Sequence, residues 1–245
     1  MGSAVPSATS VRITLPQVYD CPVTGSARLR TACGLIGPAA FTAAWLLAQR
    51  RQDEYQVRHE HISGLAARDA TDPQLMMAGF FALGTCTVAF ASALERRLGP
   101  RPGLGPTLIG VAGLATVAAG VFRRDRRSNF PAPGEPEGQS LVNDVHDTAA
   151  ILSGMAGTAG LVALAPALAR DPTLRKLAKP ALSAAGASAS MSAWFLRDVV
   201  RPGNGLLQRV NVTIPLVFMA RLALRMLKEG TWCKDVGLDG SRRTM

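Results

Sequence analysis

The sequence predicts an all-α integral membrane protein, a bundle of six transmembrane helices with both termini cytoplasmic. Two observations carry this. Runs of about 20 residues with almost no charge recur along the chain, the length needed to cross a ~30 Å hydrocarbon layer. The charged residues are crowded into the short stretches between those runs, whereas a soluble helical protein spreads its charges along one face of every helix. The 48% hydrophobic share is ordinary for a globular protein, so position along the chain decides the class, not composition.

The apolar runs fall at 30–49, 75–94, 103–122, 147–168, 179–197 and 206–227. Pro38 predicts a kink in the first and Pro215 lies inside the sixth. The fifth, KPALSAAGASASMSAWFLR, is mostly Ala and Ser. Too weakly apolar to face lipid all round, it is expected inside the bundle or lining a polar cavity. Residues 1–27 are polar, contain Pro6, Pro16 and Pro22, and read as a flexible cytoplasmic tail; 28–228 form the transmembrane domain and 229–245 a second cytoplasmic tail. No cleavable signal peptide is apparent before the first run.

Charge sets the orientation. With six spans, the termini and the loops at 95–102 and 169–178, taken with Arg30 and Lys179, share one side and carry 14 Lys and Arg; the opposite loops carry nine. The positive-inside rule then puts the N-terminus in the cytoplasm and both Trp45 and Trp194 near the outer interface. Of the 27 basic residues 23 are Arg, and with abundant Ala and Gly this points to a GC-rich bacterial genome, hence a multi-pass protein of a bacterial plasma membrane. The basic balance carries no aromatic interleaving or recognition-helix pattern, so nucleic acid is not expected as a partner. Cys21, Cys33, Cys86 and Cys233 lack CxxC spacing and indicate neither a zinc site nor a disulfide framework.

Small residues recur at helical spacing: Gly34 and Gly37; Ala112, Thr116 and Gly120; Gly154, Gly157 and Gly160. Such faces let helix backbones approach closely in lipid. Packing within the bundle is favoured over a dimer seam.

The polar residues with chemical potential gather at the outer helix ends. Tyr55, His59, His61, Ser63, Arg68, Asp69 and Asp72 follow the first run; Arg123, Arg124 and Asp125 follow the third; His146 and Asp147 open the fourth. Arg197 and Asp198 end the fifth, and Gln208, Arg209 and Asn211 open the sixth. Ionised groups at that depth need partners. Paired guanidinium forks there suit an anionic or zwitterionic group. The candidate binding cluster is Ser63, Asp69, Arg123, Asp125, His146, Asp147, Arg197, Gln208 and Arg209. The competing structural reading is a lock that fixes how the loops fold over the bundle. At the other surface, Arg221 and Arg225 read as snorkelling interfacial anchors.

A rival reading takes His59, His61 and His146 as three ligands of a catalytic zinc in a membrane hydrolase. An HxH pair is a weak signal and no HExxH is present. A small transporter is less attractive, since no charge sits near the middle of any run. The leading expectation is therefore a non-enzymatic protein with no cofactor. Its expected partners are membrane lipids and, beyond them, another membrane protein or a second copy of itself.

The stretches HISGLAARDATDPQLMMAGFFALG (61–84), GVFRRD (120–125), HDTAA (146–150) and GLLQR (205–209) resemble the blocks of the bacterial membrane family catalogued as domain of unknown function 998. The resemblance spans roughly 30–228 and implies about six spans. It points to Ile62, Ser63, Leu65, Asp125, His146, Gln208 and Arg209. Arg123 stands where members often carry Pro. The resemblance implies a fold and no activity.

Overall fold

The computed structural model describes residues 25–99, 103–127, 139–197 and 203–229. Among these, all regular structure is helical: α1 (Gly25–Arg51), α2 (Pro73–Leu98), α3 (Gly105–Val121), α4 (Leu141–Arg170), α5 (Ala178–Arg197) and α6 (Asn204–Glu229). Short 3-10 turns occupy Ile62–Ala66 and Arg175–Leu177. Most of the two tails, with Cys21 and Cys233, and Asp198 lie outside the described residues.

The helix limits have local causes. Pro73 opens α2 at a position where a missing N–H costs nothing. Gly99 ends it at φ 82°, a backbone region that side chains disfavour. The Ser140 hydroxyl caps α4 by accepting from the Asn143 amide. That cap corrects one expectation: α4 begins at Leu141, so His146 and Asp147 sit in its second turn instead of opening it. Pro38, Pro166 and Pro215 lie inside α1, α4 and α6, each of which runs on past its proline.

Each helix packs against its chain neighbours and α1 against α6, closing a ring of alternating up and down elements. Bare backbone makes the closest seams. A Cβ on Gly34 would lie 2.7 Å from Ala223 Cβ and 2.8 Å from the Phe90 ring, so α1 reaches α6 and α2 there only as glycine. Gly84 and Gly113 do the same for α2 and α3, each Cβ meeting the other's carbonyl oxygen within 2.8 Å. Gly160 packs on Ile109, but Gly154 has nothing within 4 Å and Gly157 has only Ala112, so part of that row lies open. Thr116 in the middle row hydrogen-bonds Ser153 across α3 and α4 at 2.8 Å.

The outside of the ring is apolar. Ile36, Leu47, Phe81, Leu114, Met155, Val162 and Val217 are exposed along it. α1, α2, α4 and α6 are long and apolar enough to cross a membrane, and no more than 44% of any of their apolar windows is buried. Water does not tolerate such a belt; lipid does. α3 is apolar but shorter.

α5 departs from expectation. It buries only Ala181, Ala185 and Ser188, and exposes Leu182, Trp194 and Leu196. α5 packs between α4 and α6 as one member of the ring wall, with most of its surface exposed, and does not sit inside the bundle.

Candidate functional site

One end of the ring, here the cap end, is covered by residues 52–72 and 122–127. The lid is fastened from α6. Gly205 lets the start of α6 press on the lid backbone, since a Cβ there would lie 2.6 Å from the carbonyl oxygens of Val57 and Glu60. Gln208 Oε1 accepts from the Ile62 amide at 2.7 Å. Arg209, only 5% exposed, donates from Nη1 to the carbonyls of Val57 (3.0 Å), Glu60 (2.8 Å) and Gly205 (2.8 Å). Its Nη2 donates to the Tyr55 hydroxyl, and its guanidinium carbon lies 5.2 Å from the Trp45 ring centroid. Burial pushes the Tyr55 phenol up to about 12, against the pull of Arg209. Both Nη atoms and one face of Arg209 are thus engaged by its own chain, while its buried Nε meets no hydrogen-bond partner among the described residues.

The segment after α3 is stitched to the same lid. Arg123 donates to the carbonyls of Ala66 and Ala67, closing the end of the 3-10 turn that buries Ser63. The Arg127 amide donates to Asp69 at 2.7 Å, and its guanidinium pairs with Glu60 at 3.2 Å. Gly64 is required beneath it, because a Cβ would lie 2.5 Å from the Arg127 carbonyl.

A third group surrounds the start of α4. Asp125 accepts from the Ser140 amide (2.6 Å) and hydroxyl (2.7 Å), which hold its carboxyl below the usual range. Asn143 accepts from the Asp125 amide and donates to Asp147 at 2.9 Å. His146 is fully buried, and its Nδ1 lies 2.8 Å and 2.7 Å from the carbonyls of Ala119 and Phe122. Two carbonyls on one ring nitrogen make Nδ1 the protonated donor, which leaves Nε2 a lone-pair acceptor. Nε2 is buried and meets no hydrogen-bond partner among the described residues.

Arg124 is the group least satisfied. It is 5% exposed, and burial pushes its guanidinium below its ordinary value against the pull of Asp147. Nε lies 3.5 Å from Asp147, an ion pair without hydrogen-bond geometry, and neither Nε nor Nη1 has a hydrogen-bond partner among the described residues. Sequence reasoning chose Arg123 from the Arg123–Arg124 pair. Nothing in RRDRR distinguishes the two; only the fold turns one onto carbonyls and the other beside a carboxylate.

The nine expected residues therefore separate. Gln208, Arg209, Ser63, Asp69 and Arg123 belong to the lid, while Asp125, His146 and Asp147 frame the α4 start beside Arg124. Arg197 is exposed at the end of α5. The three histidines do not form a ligand set. His59 Nδ1 accepts from the Gly203 amide at 3.3 Å, the His61 ring lies 5.0 Å from that of Phe195, and His146 is turned into the end of α3. Among the described residues no three His, Cys, Asp or Glu side chains converge as metal ligands, so the zinc-hydrolase reading loses its geometry.

The opposite, base end holds a feature the sequence reading missed. Arg97 pairs with Asp171 at 2.9 Å, their side chains 7% and 5% exposed, and also donates to the Thr173 hydroxyl. Burial raises the Asp171 carboxyl, but the Thr173 hydroxyl and amide together with Arg97 hold it below the usual range. Asp-Pro-Thr is a turn signature that could have flagged it.

A ring of apolar helices, closed at one end by a hydrogen-bonded polar lid, defines the class: an all-helical membrane protein. Within that class the chain belongs to the family described as protein of unknown function (DUF998), which matches residues 35–225. No curated protein and no solved structure matches it.

Proposed function

We propose that this is a non-enzymatic multi-pass protein of the bacterial plasma membrane, with six spans and both termini cytoplasmic. Its outward cap end binds an anionic or zwitterionic group, with a lipid head group as the fitting ligand. The short α3 and the weakly apolar α5 are carried across as members of the ring.

The observation that supports this reading is the buried Arg124. A desolvated guanidinium with open N–H groups is costly unless oxygen atoms meet it. Arg209 has such oxygens at both Nη atoms, with only its Nε left open; Arg124 has one loosely placed carboxylate, and its Nε and Nη1 meet no hydrogen-bond partner among the described residues. His146 Nε2 adds an acceptor in the same region. A ligand presenting anionic oxygen together with a hydroxyl or ammonium donor answers both. On this reading Arg209, Gln208 and Arg123 position the lid, and Arg124, Asp147 and His146 face the ligand.

Arg124→Gln tests it. Phospholipid retained through purification, measured by mass spectrometry, should fall, while the thermal midpoint in detergent stays near that of the wild type. Unchanged lipid retention in a folded Arg124→Gln protein would sink the proposal.

A further inference from the structure

Exposed cations stand at both ends. At the cap end Arg51, Arg68, Arg124 and Arg127 each face a carboxylate, while Arg50, Arg58 and Arg197 are exposed with no ion pair to a described residue. At the base end Asp171 pairs with Arg97 and Glu229 with Arg225, and Glu95 is exposed at the end of α2. Arg175, Lys176, Lys179 and Arg221 are exposed there and form no ion pair with a described residue.

These cations converge on one sector. Arg225 Nε donates to the Thr173 carbonyl at 3.3 Å, which ties the end of α6 to the turn carrying Arg175 and Lys176. The Arg97–Asp171–Thr173 contacts fix that turn from behind. Higher up, Asn211 donates to Ser192 at 2.9 Å and sets the antiparallel register of α5 and α6. Counted down from that bond at equal rise, Lys179 lies level with Leu224 and Arg225, and Leu182 with Arg221.

Depth selects the partner. Arg221 lies eight residues before the end of α6 at Glu229, about 12 Å along the helix axis. It is flanked by exposed Val217 (59%) and Leu224 (47%), with Leu182 (49%) on α5. A cation at that level, bordered by apolar side chains, meets lipid phosphate sooner than a soluble anion. We infer that the α5–α6 face of the base end is a binding site for an anionic phospholipid. Arg175, Lys179 and Arg221 contact the phosphate, and Leu182, Val217 and Leu224 run beside the acyl chains. This stands independently of the cap-end ligand.

The test titrates the detergent-purified full chain with phosphatidylglycerol, phosphatidylcholine and inorganic phosphate, reading bound lipid by native mass spectrometry. Phosphatidylglycerol should bind the wild type in preference to phosphatidylcholine, and Arg175→Gln/Arg221→Gln should weaken it by on the order of thirtyfold. Removing the same number of charges from the same end, as Arg28→Gln/Arg96→Gln, should change it by less than about threefold. Equal binding of the two lipids, an equal loss in the control variant, or displacement by inorganic phosphate would each overturn the inference. Exposure of all four side chains keeps the variants foldable, and a common thermal midpoint verifies it.

Discussion

Nη2 of Arg209 lies 2.6 Å from the hydroxyl oxygen of Tyr55, so a residue near the start of α6 holds one near the start of the lid, 154 positions away. The same guanidinium serves the carbonyls of Val57 and Glu60. Arg209→Ala leaves the Val57 carbonyl without a donor and the Glu60 carbonyl with only the Tyr55 hydroxyl at 3.3 Å, and each lost bond costs roughly 1–3 kcal/mol. A loss of about 3 kcal/mol or more is expected in denaturant unfolding from detergent micelles. Arg209→Lys should rescue little, because an ammonium cannot spread across both edges of the site. A loss below about 1 kcal/mol for the alanine variant would contradict the clamp.

Tyr55 supplies an optical reading of the same contact. Its folded value of about 12 stands above the ordinary 10.0, so between those values the unfolded chain ionises and the folded chain does not. The stabilisation is therefore complete below pH 10 and fades as pH rises toward 12. The difference in alkaline absorbance titration between wild type and Tyr55→Phe should show one phenol ionising near 12. A phenol titrating near 10 would place Tyr55 in water.

Asp125 acts at the other extreme of pH. Its folded value lies below the ordinary 3.8 because the Ser140 amide and hydroxyl bond the carboxylate. Its contribution is present above 3.8 and is lost as pH falls through the folded value. Thermal midpoints should therefore drop with acid below pH 4, and Asp125→Asn should flatten that slope relative to wild type. Parallel slopes in the two proteins would remove Asp125 from the account of the α4 cap.

The base-end pair makes a separable prediction. Breaking the buried Arg97–Asp171 bridge from one side strands a charge, a loss of about 3–5 kcal/mol. Arg97→Met alone should therefore destabilise strongly, while Arg97→Met/Asp171→Leu should recover much of the loss. A double-mutant cycle in micelles reads the coupling directly. Additive losses would show that Thr173 and the surrounding backbone, not the pair, hold the turn.

The fold was legible because lipid demands something sequence displays plainly, long stretches without charge. Hydropathy marks where lipid is, not where a helix starts. That is why α4 was expected at residue 147 although Ser140 caps it before Leu141. α5 was expected inside the bundle for a related reason: its Ala and Ser content reveals poor lipid affinity, but not that the helix forms part of the ring wall with most of its surface exposed. In the site, Gln208 and Arg209 stood out as polar groups inside an apolar run. Their partners did not, because backbone carbonyls of Val57 and Glu60 carry no signature in sequence. Arg97 and Asp171 carry no pattern that links them across 74 residues, and only the fold buries them against each other.

Everything rests on the helices crossing lipid in alternation, with the two weakest, α3 and α5, included. Single cysteines introduced into a cysteine-free chain at Thr71, Gln139 and Arg197 on the cap end, and at Leu104 and Arg175 on the base end, test this in intact cells. A membrane-impermeant maleimide should label the first three from outside and reach the other two only after permeabilisation. Labelling of Leu104 and Gln139, which flank α3, or of Arg175 and Arg197, which flank α5, from the same side would contradict it.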